Sequence, residues 1–403
     1  MKHFFITAYY NIAKDKSYTC LCLFGTTITF IFIALALQLM HICSGDYPPM
    51  TNANSIIRLD MFKNTDGKNI GGIYYKEANA FTKNLPDFKH ISLYHSNAIN
   101  ALAKEQLHNT DIGFVNEEYW NIYNYKFLYG KPFFKEDCIN RKQVAVMTEK
   151  LSKTYFNKSN GLGEKFSFQG KEYEVIGVVK NVSMFSTPTE SVIWVPYVFD
   201  KFIPNGMYKY TLDVLTPPSI PINAAKEKIA VAVQQYFNTK NMKVDFFPKQ
   251  IKTLKETSEN NIPGGKMFQY GSTAALLMLL IIPALNILTL NSTNANNRAK
   301  EIAVRRAFGA KPFSSFILIA GENFLITATG AITGVLCAVP VMNVLRKNIV
   351  GNSAFMDLEI IDHIDYNVIL CGALPALIVF SLLSGGLPAY LITKRNIPTV
   401  LKE

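Results

Sequence analysis

Four stretches of this chain are long and apolar enough to cross a lipid bilayer, and they constrain its fold more than any other feature. Thr19 to Ile42 contains no Asp, Glu, Lys or Arg, and neither does Met267 to Leu290. Pro312 to Leu345 holds one carboxylate, Glu322, and Tyr366 to Thr393 holds none. A spanning helix needs roughly 20 such residues, so all four qualify. The third run, at 1.5 Å per residue, makes about 50 Å of helix against a core of ~30 Å, so part of it is expected to emerge into water. The first run is too long for the apolar part of a secretion signal, and no A-x-A-like site comes after it. Cys43 is preceded by Met40-His41-Ile42, which lacks the small residues of a lipoprotein cleavage site, so the segment reads as a retained helix.

Composition agrees with this class. With 49% apolar and 18% charged residues, extended disorder is excluded. The six cysteines imply no disulfide framework, because Cys20, Cys22, Cys337 and Cys371 lie in the apolar runs. The net charge of +11 is informative through its placement. Lys2, Lys14 and Lys16 precede the first run; Arg298, Lys300, Arg305, Arg306 and Lys311 lie between the second and third; Lys394, Arg395 and Lys402 come after the fourth. The loop 346–365 instead carries Asp357, Glu359, Asp362 and Asp365 against Arg346 and Lys347. Basic residues in short loops stay in the cytoplasm, so both termini are expected inside and residues 43–266 outside. The basic balance is therefore a topology signal and not a sign of nucleic-acid binding.

The expected fold is an α-helical membrane protein with four transmembrane helices and a large α+β extracytoplasmic domain between helices 1 and 2. Residues 1–18 form a cytoplasmic amphipathic helix with Phe4, Phe5, Ala8, Tyr9, Ile12 and Ala13 on one side. The membrane helices are 19–42, 267–290, 312–345 and 366–393. The cytoplasmic pieces are 291–311 and the tail 394–403, and the outer loop is 346–365. Within 43–266, Val144 to Met147 reads as a buried strand leading into a helix from Glu149 to Phe156. Phe166, Phe168, Tyr173 and Val175 flank a Gln169-Gly170-Lys171 turn with hairpin chemistry. Ile176–Val179, Val192–Val195, Tyr210–Leu215 and Val244–Phe247 read as further strands. Ile222, Ala225, Ile229, Val233, Tyr236 and Phe237 recur at helical spacing. The Asn- and Tyr-rich stretch of about 75–130 reads as a separate subdomain inserted between two halves.

No catalytic chemistry emerges. His90, His95 and His108 have no carboxylate or thiol at metal-ligand spacing and are expected to be solvated or hydrogen-bonded. Neither G-x-S-x-G nor H-E-x-x-H occurs. Gly67-Lys68, Gly130-Lys131, Gly170-Lys171 and Gly265-Lys266 lack the remainder of a phosphate loop. No cofactor is expected on this chain, and it is not expected to be an enzyme by itself.

The most informative segment is Arg298 to Pro312, RAKEIAVRRAFGAKP. On a helix, Ala299, Ala303 and Ala307 form a small-residue ladder and Val304 and Phe308 an adjoining apolar strip. Arg298, Glu301 and Arg305 share the opposite side, with Glu301 and Arg305 at the favourable i, i+4 spacing. Gly309 suits a helix C-terminus and Pro312 the first turn of the next helix. Composition alone fits an ordinary positive-inside loop equally well.

This segment resembles the coupling segment of FtsX-like permeases, the family of MacB-type exporters and lipoprotein-releasing permeases, whose motif R-x-x-E-I-x-[IV]-R-[RK]-A-[LF]-G-A joins the second and third helices. Glu322, with Gly330-Ala331-Ile332-Thr333-Gly334 after it, is similar to that family's third helix. Pro388-Ala389-Tyr390 and Ile397-Pro398-Thr399-Val400-Leu401 are similar to its tail. Ala145 to Lys180 resembles the MacB-type extracytoplasmic core domain. The resemblance implies a permease half-unit in the bacterial inner membrane that pairs with a second permease subunit, identical or not. It also implies a separate ABC ATPase subunit that binds the ATP, contact with membrane lipid, and a periplasmic adaptor or hydrolase among the partners it allows. Lys300, Glu301, Arg305 and Arg306 are expected to contact the ATPase, while Ala303, Ala307 and Gly309 shape the docking helix. Glu322, near the cytoplasmic side, is expected to pair structurally, and Gly330 and Gly334 to pack closely at the dimer seam. The resemblance is compatible with two functions: export or extraction of an envelope substrate, or ATP-driven signalling to an outer enzyme or sensor without transport.

Overall fold

The computed structural model of the chain describes residues 16–42, 47–60, 62–63, 69–71, 73–183, 191–200, 209–239, 251–261, 311–349 and 364–393. Positions 271, 274, 278, 281, 304, 308, 309 and 361 are described singly. The chain splits into two compact units, one built on a large sheet and one on the apolar helices.

The strands of the sheet unit are, in chain order, β1 (Ile56–Leu59), β2 (Phe62–Lys63), β3 (Asn69–Gly71), β4 (Ile73–Tyr74), β5 (Ile91–Ala103), β6 (Gln106–Val115), β7 (Phe127–Gly130), β8 (Val144–Thr148), β9 (Lys165–Phe168), β10 (Lys171–Val179), β11 (Ile193–Pro196), β12 (Lys209–Leu215) and β13 (Lys252–Thr253). The main path of one mixed sheet runs β13-β1-β12-β5-β6-β11-β8-β10-β7, with β4 on β12 and β9 on β10 and β5. β8 is buried at every position, as suits the run VAVMT lying parallel to β10. The helix Glu149–Phe156 connects into that pair. Its N-terminus is capped by Thr148 Oγ1, which accepts from the Leu151 N–H at 3.4 Å, and it ends on Asn157 in the left-handed region. The β9–β10 hairpin forms around Gln169 and Gly170, both at positive φ (51° and 71°), the backbone that a two-residue turn requires.

The stretch 75–130 is not an inserted subdomain. β5 and β6 pair antiparallel from Tyr94↔Val115 to Ala103↔Gln106 and lie in the middle of the sheet. β5 also pairs with β12, and β6 runs parallel to β11. The Asn and Tyr residues that obscure this region are structural. Asn116 accepts from the Leu93 N–H and donates to the Ile91 carbonyl, both at 3.0 Å. Tyr94, Tyr119, Tyr123 and Tyr125 belong to the larger core. That core also holds Trp194, whose ring centroid lies 5.9 Å from that of Trp120, the chain's other tryptophan.

A second core lies under the helix Ile222–Asn238, where Ala225, Ile229, Val233, Tyr236 and Phe237 are buried against Ile57, Leu59 and Leu212. The expected helical spacing is thus the packing face, with Ile222 only partly buried against it. The two cores share a buried ion pair. Arg58 of β1 stands opposite Asp213 of β12, with Nε and Nη2 each 2.8 Å from a carboxylate oxygen. The Tyr123 hydroxyl, from the aromatic core, donates to the same carboxylate at 2.5 Å. Burial alone would lower the Arg58 pKa, but the Asp213 carboxylate holds it well above its ordinary value. Burial and the same carboxylate push Tyr123 up as well. Cys138 is likewise buried, and burial together with Glu117 and Asp137 pushes its thiol up to about 12, which makes it unreactive at neutral pH. The expected strand Val244–Phe247 lies outside the described residues.

The helical unit contains three described helices apolar enough to span: Lys16–Ile42, Phe313–Val344 within Pro312–Ile349, and Tyr366–Leu391. The first begins at Lys16, three residues before the sequence-based boundary. Of the second apolar run, only Gly271, Ala274, Met278 and Ile281 are described, each in helical conformation. Besides a small apolar cluster of Phe30, Ile33, Ala331 and Ala373, the unit buries polar side chains and exposes large apolar ones. Phe24, Leu336, Leu374 and Leu391 are exposed, while Thr26, Thr29, Gln38, Thr327 and Ser384 are buried. Lipid tails are as apolar as leucine, so helices in a bilayer gain by joining small and polar groups inside and leaving apolar ones outside. At the start of the last helix, Asp365 Oδ1 accepts from the Asn367 N–H at 3.0 Å and the Asp365 N–H donates to Gln38 Oε1 at 3.0 Å. His41 Nε2 lies 3.6 Å from the same carboxylate group, so this end of the helix pair is polar and tied.

Candidate functional site: segment 291–311 and the helix core

Of the proposed docking residues, Lys300, Glu301, Ala303, Arg305, Arg306 and Ala307 lie outside the described residues. At the segment's end, the Phe308 N–H donates to the Val304 carbonyl at 3.1 Å, one closed α-turn. Gly309 comes next at φ +92°, in the left-handed region that ends helices. Pro312 then opens the next helix, where its missing N–H costs nothing. Val304 and Phe308, the apolar strip of this segment, are 45% and 89% exposed. An apolar pair so exposed beside clustered basic residues can dock a partner that offers an apolar groove and carboxylates.

Glu322, the eleventh residue of the helix Pro312–Ile349, is buried. Gly330 and Gly334 do support close helix packing, but against this chain's own first helix. A Cβ on Gly330 would overlap Thr26 Oγ1, and one on Gly334 would stand 2.6 Å from the Thr27 carbonyl and 2.7 Å from Phe30 Cβ. The Thr27 and Thr333 hydroxyls meet at 2.9 Å beside them. The close contact described for these glycines is therefore one within the chain. With no side chains there, the two backbones approach closely, and the first helix fills the space.

Sequence reasoning missed the polar contact one residue beyond Glu322. Asn323 Nδ2 donates to Ser384 Oγ at 3.1 Å, and both residues are buried. Ser384 lies in a π-helical turn, Leu382–Gly386, which interrupts the last membrane helix before it resumes as Leu387–Thr393. The pair Gly385-Gly386 ahead of Leu387-Pro388 within an apolar run was the sequence sign of such an irregularity.

In the sheet unit, the histidines are occupied by carboxylates and rings. His90 Nδ1 lies 2.6 Å from Glu118 Oε2, and His95 Nδ1 lies 2.7 Å from Asp200 Oδ2. His108 stacks on Tyr155 at 4.4 Å. No cluster of three metal-ligating side chains occurs among the described residues.

Two family models match the chain, the first of them beginning within the first membrane helix. Residues 19–232 match the model of the MacB-like periplasmic core domain, and residues 273–397 match that of the FtsX-like permease C-terminal region. The chain is 24% identical over 289 residues to the macrolide export ATP-binding/permease protein MacB of Aggregatibacter actinomycetemcomitans, covering 71% of this chain and 44% of that protein. It is 22% identical over 257 residues to the ABC transporter permease YknZ of Bacillus subtilis, covering 63% of this chain and 62% of that protein. The chain thus spans less than two thirds of the length of these relatives. Among solved structures, the periplasmic region of MacB from Actinobacillus actinomycetemcomitans superposes with a TM-score of 0.42 and 19% identity, over 52% of this chain and 92% of that one.

Proposed function

The chain belongs to the family of FtsX-like, MacB-type ABC transporter permeases, and from that premise we propose that it is the membrane subunit that couples an ABC ATPase to motion of its outer domain. The coupling moves an envelope substrate outward or extracts it from the membrane. In this reading the chain crosses the bilayer four times, at 19–42, 267–290, 312–345 and 366–393. Both termini and segment 291–311 face the cytoplasm, and residues 43–266 face the periplasm. A separate ATPase binds the ATP and docks on segment 291–311 through Lys300, Glu301, Arg305 and Arg306, with Val304 and Phe308 filling an apolar groove. A second permease subunit completes the assembly.

The observation that carries the reading is the basic, apolar-edged segment ending at Gly309, placed directly before a membrane helix inside the region that matches the FtsX-like permease. In this reading the segment docks the ATPase only a few residues from a span, so force on it has a short path to the bilayer interior. The test is purification of the tagged chain from its native membranes in mild detergent. An ABC-type ATPase is expected to co-purify in near-stoichiometric amount, with ATP hydrolysis above that of the ATPase alone. Clean recovery of the intact chain with no nucleotide-hydrolysing partner would overturn the assignment.

A further inference from the structure

The π-turn Leu382–Gly386 has a physical peculiarity that makes it more than a local defect. Its closing bond runs from the Leu387 N–H to the Leu382 carbonyl, five residues back. Pro388 stands next in the chain and has no N–H to give. In the present register the carbonyl of Leu383 lacks its i+5 donor, because that donor would be Pro388. In an α register, the carbonyl of Ser384 would lack its i+4 donor, because that donor is again Pro388. Pro388 withholds a backbone donor from the turn in either register, so neither register closes a full set of helical bonds there. Gly385 and Gly386 carry no side chain that resists a change of register.

Side-chain contacts then weigh on the choice between the two registers, and Asn323 makes two of those described. Asn323 donates to Ser384 Oγ and lies over Gly385 so closely that a Cβ there would overlap its amide nitrogen. Ser384, Gly385 and Gly386 are all buried, so no water competes for this contact. We propose that the turn is a two-state register switch held in its π form by Asn323, and that release of Asn323 turns the downstream segment Leu387–Thr393 about its axis. Winding the same residues as α-helix rotates that segment by about 100° and advances it by about 1.5 Å. Leu387–Thr393 leads toward the tail, so the switch changes which residues the end of the last span presents. Ala389 is fully buried in the present register, whereas Tyr390 and Leu391 are 53% and 56% exposed. Rotation by one residue would bring Ala389 out. The device rests on the coupling reading and deepens it, by supplying a discrete element inside the membrane unit with two arrangements to choose between.

The test uses the full chain in lipid nanodiscs, with the six native cysteines replaced and a single cysteine at Ala389→Cys or Tyr390→Cys. A small membrane-permeant maleimide is the probe. In the otherwise unaltered chain, the cysteine at 389 should label about tenfold more slowly than the one at 390, as expected for a buried against a half-exposed site. Adding Asn323→Ala should raise the rate at 389 to within about threefold of that at 390. Deleting Gly386 removes the extra residue of the turn, so the helix winds as α without rotating its end. Position 389 should then stay protected, even with Asn323→Ala present. Protection of position 389 that persists in Asn323→Ala overturns the proposal, as does loss of protection that Gly386 deletion fails to prevent. Integrity is read from the fluorescence of Trp120 and Trp194, both in the other unit, and from monodisperse elution. The labelling needs no ATPase, so a failure of the transporter reading would appear as an absent partner and not in these rates.

Discussion

Replacing Asp213 by alanine is expected to lower the stability of the outer domain by about 3–5 kcal/mol, the range for breaking a buried ion pair from one side. The mechanism is the charge left behind. Arg58 is 13% exposed in its side chain, so its guanidinium would keep its charge but lose both 2.8 Å contacts to the carboxylate. The Tyr123 hydroxyl would lose its acceptor in the same change. The damage should reach both cores, because β1 and β12 carry the pair while Tyr123 comes from the aromatic cluster. Replacing Arg58 and Asp213 together by apolar residues of similar volume should cost far less, since no unpaired charge is then buried. Denaturant unfolding of the full chain, monitored by tryptophan emission, measures this directly. Both tryptophans lie in that domain, so the signal reports it alone. A loss below about 1 kcal/mol for the single variant would show that the pair is solvated in practice.

The second large effect concerns coupling. Reversing Arg305 and Arg306 to glutamate is expected to return ATP hydrolysis by the co-purified ATPase to its unstimulated rate. Like charges set against each other at an interface cost several kcal/mol, so docking should weaken by about 100-fold or more. The change should leave insertion intact, because Arg298, Lys300 and Lys311 remain to hold the segment on the inner side and added carboxylates weigh little in that rule. The outer domain should stay folded, as its tryptophan emission would show. Full stimulation by a correctly inserted double variant would remove these two residues from the interface. A milder variant, Phe308→Ser, probes the apolar part of the same surface without touching charge.

The legibility of each feature in the sequence depends on how far along the chain its partners lie. The apolar runs, the strand and helix at 144–156, the β9–β10 hairpin and the helix 222–238 are local patterns. Each is fixed by periodicity, a cap or a two-residue turn within a few residues. The β5–β6 ribbon was illegible because its identity as the centre of the sheet depends on β11 and β12, far along the chain. Along β5, His95, Ser96 and Asn97 are all half-buried, which breaks the alternation that would mark a strand. Arg58 and Asp213 lie 155 residues apart, and nothing local in either distinguishes a buried partner from a surface charge. In the membrane unit, Gly330 and Gly334 announced close approach but not the partner, which proved to be Thr26, Thr27 and Phe30 of the first helix. Asn323 looked like any polar residue until Ser384, 61 positions away, supplied its acceptor. Spacing reveals what a residue can do; only the fold reveals to whom.

Those contacts also give the coupling account a physical route. In the proposed coupling, segment 291–311 continues through Gly309 to the helix that begins at Pro312. That helix meets the first helix at Gly330 and Gly334, and the first helix leads into the block 43–266. Packed backbones without intervening side chains transmit displacement with little slack. The most direct measurement is hydrogen exchange of residues 43–266 in the complex reconstituted in nanodiscs, with and without ATP. The account predicts that exchange in this domain changes when ATP is turned over and reverts when hydrolysis stops, and that the change is absent in the Arg305→Glu, Arg306→Glu variant. Identical exchange with and without ATP, in a complex whose bound ATPase is turning over, would contradict it.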